Sequence, residues 1–112
     1  MLASATHRDG WFARDRLHRA AAEGNLARAR ELIAEGAPLD AFDEIGYAPL
    51  HYAVKNGWFE MVRLLLDAGA DINARDPQRR AAAPIEVAAA DASPRMVDFL
   101  LQFGADPVSA GS

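Results

Sequence analysis

Cysteine is absent from the 112 residues, so neither a disulfide framework nor a thiolate metal site is available. Lysine occurs once, at Lys55, against 11 arginines, and 16 acidic residues leave a formal net charge of −4. That balance argues against a nucleic-acid partner, because phosphate binding needs a basic stripe. Only Arg14 to Arg19 and Arg79-Arg80 cluster locally, and each reads as a solvated face or loop. No apolar run approaches the roughly 20 residues needed to cross a bilayer. Met1 to Gly10 lack the apolar centre of a secretory signal, which makes the cytoplasm the default compartment, with no membrane partner. There is no Gly-rich phosphate cradle, since Gly24, Gly36, Gly57, Gly69 and Gly104 all fall where helices end. No Ser stands in a nucleophile setting. These absences argue against catalysis and call for no cofactor.

What is present is repetition. Leu17-His18-Arg19-Ala20-Ala21-Ala22-Glu23-Gly24-Asn25 recurs as Leu50-His51-Tyr52-Ala53-Val54-Lys55-Asn56-Gly57-Trp58, each residue displaced by 33. Leu32-Ile33-Ala34-Glu35-Gly36-Ala37 recurs as Leu65-Leu66-Asp67-Ala68-Gly69-Ala70 at the same offset. A third copy follows at an offset of 35, in Pro84-Ile85-Glu86-Val87-Ala88-Ala89 and Leu100-Leu101-Gln102-Phe103-Gly104-Ala105. A period near 33 marks a stacked array in which each unit buries its apolar face only against its neighbours. An apolar content of 51%, with 25 alanines, supports a packed, helix-rich core in a single domain.

The central unit shows how each copy folds. Pro49 stands where a helix begins, since its missing N–H would be unpaired there in any case. Leu50, Ala53 and Val54 share one helical face, and Asn56-Gly57 ends that helix. Phe59, Val62, Leu65 and Leu66 form the stripe of a second helix closed by Gly69, and Asp71-Ile72-Asn73-Ala74 leads into a turn-rich connection. Across three units the pattern predicts six helices in antiparallel pairs near 14–22, 26–35, 49–56, 59–68, 84–91 and 94–103, with no extended sheet beyond short hairpin contacts.

Gly46-Tyr47-Ala48-Pro49-Leu50-His51-Tyr52-Ala53, then Gly57, Val62, Leu65-Leu66 and Gly69-Ala70-Asp71-Ile72-Asn73-Ala74, resemble the repeat of the ankyrin family, and the likeness runs from Leu17 to Pro107. It implies an all-α solenoid of three helix-turn-helix units with hairpin or loop fingers. The expected layout is a tail at 1–10, an N-terminal cap repeat at 11–42, a central repeat at 43–75, a C-terminal repeat at 76–107 and a tail at 108–112. The resemblance implies a non-catalytic module that grips a partner protein with its concave face. Phe42, Glu44, Ile45, Tyr47, Lys55, Asn56, Trp58, Arg75, Gln78, Arg79 and Arg80 are the contact residues it implies. The alternative is an immunity or antitoxin-like protein that inhibits a cognate toxin enzyme by binding it, an acidic chain mimicking substrate charge. The bias to Arg and Ala points to a GC-rich, bacterial genome. Departures from the family pattern are Ala48 and Ala83 where a capping Thr is usual, each costing about 1 kcal/mol. Glu86 replaces the repeat's His, Pro94 sits in the start of the last helix, and two extra residues lie within 76–83, predicting a longer or less regular finger.

His18 and His51 lie 33 apart, and a catalytic His has no reason to repeat with the fold, so their rings are read as ties to loop backbone. His7 falls in the tail. Asp40, Asp43 and Glu44, and Asp71 with Asp76, lack the spacing of a cation loop and serve turn geometry instead, so no metal is expected. Among the aromatics, Phe42, Tyr47, Tyr52 and Trp58 are either exposed anchors for recognition or, for Tyr52 and Trp58, packing on the neighbouring unit. If Tyr47 and Trp58 are anchors, truncating them weakens binding and leaves the melting temperature almost unchanged. Trp11 and Phe12 are expected to staple the N-terminal helix.

The two ends of the stack differ. Arg28 and Glu31 stand where the later units have Met61 and Leu64, then Met96 and Phe99, so the first unit wears charge on the side that looks backward. At the other end Val97 and Leu101 keep the apolar character of Val62 and Leu66, and Phe103 adds an aromatic; 107–112 is too short for a covering helix. Val97, Leu101 and Phe103 are therefore expected to be partly exposed and to mediate end-to-end self-association or receive a partner.

Overall fold

The computed structural model describes residues 15–79 and 81–105. The expected staple of Trp11 and Phe12, the tail with His7, the side chain of Arg80 and residues 106–112 lie outside the described residues. Within them are six helices and no strand: α1 (Arg16–Glu23), α2 (Leu26–Ala34), α3 (Pro49–Lys55), α4 (Phe59–Ala68), α5 (Pro84–Ala90) and α6 (Pro94–Gln102). Each begins and ends for a local reason. Pro49, Pro84 and Pro94 occupy first-turn positions, where no N–H is needed. The Asn25 side chain caps α2 by accepting the Arg28 N–H at 3.1 Å. Gly24 closes α1 at φ 70, and its N–H reaches the Ala20 and Ala21 carbonyls.

The inner helices α1, α3 and α5 pack side by side in one row, each against its own outer partner, α2, α4 or α6. Leu17, Leu32, Leu50, Met61, Leu65, Met96 and Leu100 are the buried centre, and Ala20, Ala21, Ala53 and Ala88 let the inner helices approach. Across the second junction of the outer row, Phe59 of α4 meets Phe99 of α6 edge-on at 5.2 Å. One turn further, Arg63 lies 5.9 Å over the ring of Phe103, which tilts against Phe99 at 5.0 Å.

This arrangement corrects the reading of Phe103 as part of the forward-looking end face. It follows Phe99 by four residues, so both rings share one stripe that turns back toward α4. Phe103 stays 37% exposed, but on the flank of the molecule. Leu101, 39% exposed, and half-buried Val97 do stand at the end of the stack.

The missing caps are partly replaced. Neither Ala48 nor Ala83 supplies a side-chain cap, but the residue three further on accepts the N–H of each: His51 Nδ1 takes Ala48 N–H at 2.9 Å, and Glu86 Oε1 takes Ala83 N–H at 2.8 Å. Glu86 thus does for α5 what His51 does for α3.

Candidate protein-binding face

The connections between units are built on carboxylates used as backbone acceptors. In the central finger, Asp43 Oδ1 accepts from Ile45 N–H at 3.1 Å and Tyr47 N–H at 3.0 Å, while Oδ2 accepts from the Tyr52 hydroxyl. The turn closes through Asp43 N–H to Tyr47 O at 2.9 Å and Gly46 N–H to Asp43 O at 3.0 Å. Burial and the Asp43 carboxylate both push the Tyr52 hydroxyl well above its ordinary pKa, so it remains a donor. In the next finger Asp76 repeats the design: Oδ1 accepts from Gln78 N–H at 2.9 Å, and Arg79 replaces the tyrosine on Oδ2 at 2.8 Å. The Arg79 guanidinium holds the Asp76 carboxyl below its ordinary range. Asp40 Oδ1 accepts Asp71 N–H at 2.8 Å, and Asp71 Oδ1 accepts Asn73 N–H at 2.9 Å.

The two buried histidines tie fingers to helices. His51 Nδ1 accepts from Ala48, so its proton sits on Nε2, which donates to Ala82 O at 2.7 Å in the following unit. Burial lowers the His51 pKa below 6.5, against the raising effect of its two backbone bonds. His18 Nε2 donates to both Ala41 O at 2.8 Å and Tyr47 O at 2.9 Å. The ring of Tyr47 stacks on His51 at 4.8 Å and lies edge-on to Tyr52 at 5.4 Å.

The sequence-derived contact residues fall into two groups. Glu44, Ile45, Gln78 and Arg79 gather at the finger tips, all exposed, with Ile45 the most exposed large apolar side chain described, at 59%. Arg79 Nε donates to Glu44 O at 2.7 Å, joining the two fingers. Gly46, at φ 88, tucks beneath: an added Cβ would lie 2.8 Å from Ala81 Cβ and 3.2 Å from Arg79 Cβ. Phe42 and Tyr47 are half-buried behind these tips. Lys55, Asn56 and Trp58 lie at the other end of α3, a seven-residue helix about 10 Å long.

Four of these residues are tied inward: for Trp58 this is the second of its two sequence-derived readings, packing on the neighbouring unit, while for Asn56, Arg75 and Arg79 the sequence reading did not foresee it. Asn56 Nδ2 and Trp58 Nε1 both donate to Ala22 O, each at 2.9 Å, and the indole lies over Gly24. An added Cβ at Gly24 would meet Trp58 Cδ2 and Cε2 at 2.7 Å. Arg75 pairs with Glu86 at 2.7 Å, holding that carboxyl below its ordinary range, and Arg79 spans Asp76 and Glu44. Trp58 is 44% exposed but packs on the preceding unit, and Tyr47 packs on His51. The expectation that both can be truncated without loss of stability gives way to these contacts. The signal for Arg75 lay in Glu86, since an acid in place of the repeat's His calls for a nearby cation.

A family model described as ankyrin repeats (3 copies) matches residues 17–110. Protein phosphatase 1 regulatory subunit 27 of Mus musculus is 37% identical over 83 residues, covering 74% of this chain and 49% of that protein. The Homo sapiens protein of the same name is 40% identical over 58 residues, 52% of this chain and 38% of that protein. Inversin of Danio rerio is 36% identical over 90 residues, 80% of this chain and 9% of that much longer protein. The chain therefore spans half or less of these relatives. No helix among the described residues is long and apolar enough to cross a membrane.

Proposed function

Since the chain belongs to the ankyrin-repeat family, we propose that it works as a non-catalytic protein-binding module whose partner sits on the finger tips and the exposed side of the inner helices. The observation that carries this reading is Ile45, 59% exposed on a turn braced by Asp43 from below and Arg79 from the side. An apolar side chain on a fixed pedestal loses little freedom on binding, which is what makes an anchor strong. Phe42, Glu44, Lys55 and Gln78 are direct contacts in this reading. Tyr47, Asn56, Trp58, Arg75 and Arg79 hold the surface in shape as well as bordering it, and Arg80 is a further contact in this reading.

The name shared by the mouse and human relatives speaks of a regulatory subunit, which agrees with a module acting through an associated protein, and a cytoplasmic location fits that use. The immunity or antitoxin-like reading is favoured by the net charge of −4, suited to a basic enzyme cleft, and by the bacterial source that the Arg and Ala bias suggests. A photo-cross-linker at position 45 tests the main reading. It should trap a defined protein that a cross-linker at Arg30, on the outer helix α2, does not, and Ile45→Glu should abolish capture with an unchanged melting temperature. Equal trapping from both positions would refute it. A trapped protein that proves to be a toxin enzyme inhibited by this chain selects the second reading.

A further inference from the structure

His18 and His51 hold the same place in successive units, 33 residues apart, yet their rings are bonded differently. In both, Nε2 donates to the finger that follows: His18 to Ala41 O and Tyr47 O, His51 to Ala82 O. The difference is at Nδ1. In His51 it accepts the Ala48 N–H at 2.9 Å. In His18 it has no hydrogen-bond partner, alone among the buried side-chain polar atoms described. What it faces is the carboxylate of Asp15, buried like the imidazole and 3.8 Å away.

A ring lone pair and a carboxylate oxygen repel, so a proton between them is what this contact lacks. An imidazolium at His18 keeps both Nε2 bonds and turns the Nδ1 contact into a charge-assisted hydrogen bond, for which the Asp15 carboxylate need approach by only about 1 Å. At His51 the same proton would set Nδ1–H against the Ala48 N–H, so the ring has to leave both Ala48 and Ala82. The groups around the two rings keep this contrast. Tyr52 of α3 meets His18 edge-on at 6.0 Å, and Tyr47 from the finger stacks on His51. Burial is the largest effect on His51 and disfavours its charge, as does His18; Asp43 favours the charge but does not prevail. On α5, Glu86 is committed to Arg75 and to the Ala83 N–H.

We propose that the two junctions respond to acid one at a time: Asp15 lets His18 take a proton in place, so the first finger stays fastened, whereas His51 takes one only by letting the third unit's finger go. Acid therefore unfastens the stack at its second junction and leaves the first two units joined. The size of the effect follows from linkage. Release of the His51 ring becomes more favourable by up to tenfold for each pH unit below 6.5, where the freed ring takes up its proton. Release of His18 gains nothing in this way, because the proton is taken up whether the ring is held or freed.

Amide hydrogen exchange of the full chain, read by NMR as protection factors at about pH 7.5 and about pH 5, tests this. Asp43 N–H, bonded to Tyr47 O, reports on the first junction, and Ala48 N–H, bonded to His51, on the second. Between the two conditions Ala48 protection should fall by about tenfold and Asp43 protection by less than about twofold. Asp15→Asn removes the counter-charge, so Asp43 protection should then fall by about tenfold as well, while the Ala48 response stays as in the parent. A role of Asp15 in folding alone would lower protection equally at both pH values. Circular dichroism at the higher pH checks that the variant is folded. Ring-nitrogen spectra of the parent give a reading that needs no variant: at the lower pH, His18 Nδ1 should carry a proton in the folded chain. Equal loss at both amides in the parent, an Ala48 protection that ignores pH, a bare His18 Nδ1 at the lower pH, or an Asp43 response unaltered by Asp15→Asn each overturns the proposal.

Discussion

Removing the indole of Trp58 should destabilise the protein by about 2–3 kcal/mol, and the source of that loss can be isolated. A Trp side chain buries up to about 250 Å², and Trp58, 44% exposed, keeps a little over half of its surface covered. At about 25 cal/mol per Å², less what Ala retains and what the unfolded chain already buries, the packing is worth about 2 kcal/mol. Loss of the Nε1 hydrogen bond to Ala22 O adds about 0.5–1 kcal/mol. For a chain of 112 residues Trp58→Ala should therefore lower the melting temperature by about 10 °C. Gly24→Ala supplies the second arm of a double-mutant cycle. In the parent it meets both the positive φ of 70 and the indole carbons at 2.7 Å; in Trp58→Ala only the backbone term, about 1 kcal/mol, remains. Urea denaturation of the four proteins should show the double variant more stable than the sum of the singles by at least about 1 kcal/mol. Additivity within about 0.5 kcal/mol would mean that Trp58 does not rest on Gly24, and the account of the first junction would fail.

Three further outcomes follow from the same contacts. Ala92 alone among described non-glycine residues has a positive φ, 54, at the position held by Gly24 and Gly57, so Ala92→Gly should stabilise by about 0.5–1 kcal/mol in thermal unfolding. Because the folded pKa of His51 is lowered from 6.5, the unfolded chain takes up the proton first. Stability should be full above pH 6.5 and fall as pH drops from there through the folded value, and His51→Gln should flatten that part of a pH–stability curve. Arg79→Ala should speed amide hydrogen exchange at Ile45 and Gly46 by releasing the Glu44 carbonyl, while exchange in α1 and α2 stays unchanged.

The helices were legible because each unit repeats the same punctuation. Pro at the first turn, Gly or Asn at the last and a Leu/Val stripe between fix both ends and the buried side, so the structure differs from the expected bounds by two residues or fewer. The backbone-tying role of His18 and His51 was legible for the same reason, being a property of the period. What the repeat could not convey was the identity of partners across a junction. Trp58 and Ala22 are 36 residues apart, and nothing local says that an indole will lie over a preceding glycine. Charge was also misleading: Arg75 and Arg79 look like free recognition residues in a string, but each lies within 3 Å of an acceptor in its own finger or the adjoining helix. Phe103 was misplaced although the spacing held the answer, since four residues from Phe99 means the same stripe.

These contacts give the two junctions different characters. Both have finger links, through His18 and Asp40 at the first and through His51 and Arg79 at the second. Only the first has a tie at the inter-helix turn, because Ser93 stands in the third unit where Trp58 stands in the second. Gly57, unlike Gly24, accordingly has open space where a Cβ would point. The third unit also carries the strained Ala92 in that same turn. Local opening is therefore expected to begin at the turn between α5 and α6. A partner on the finger tips meets a surface already fixed by Asp43, Asp76 and Arg79, so its binding should leave amide exchange at the α5–α6 turn unchanged.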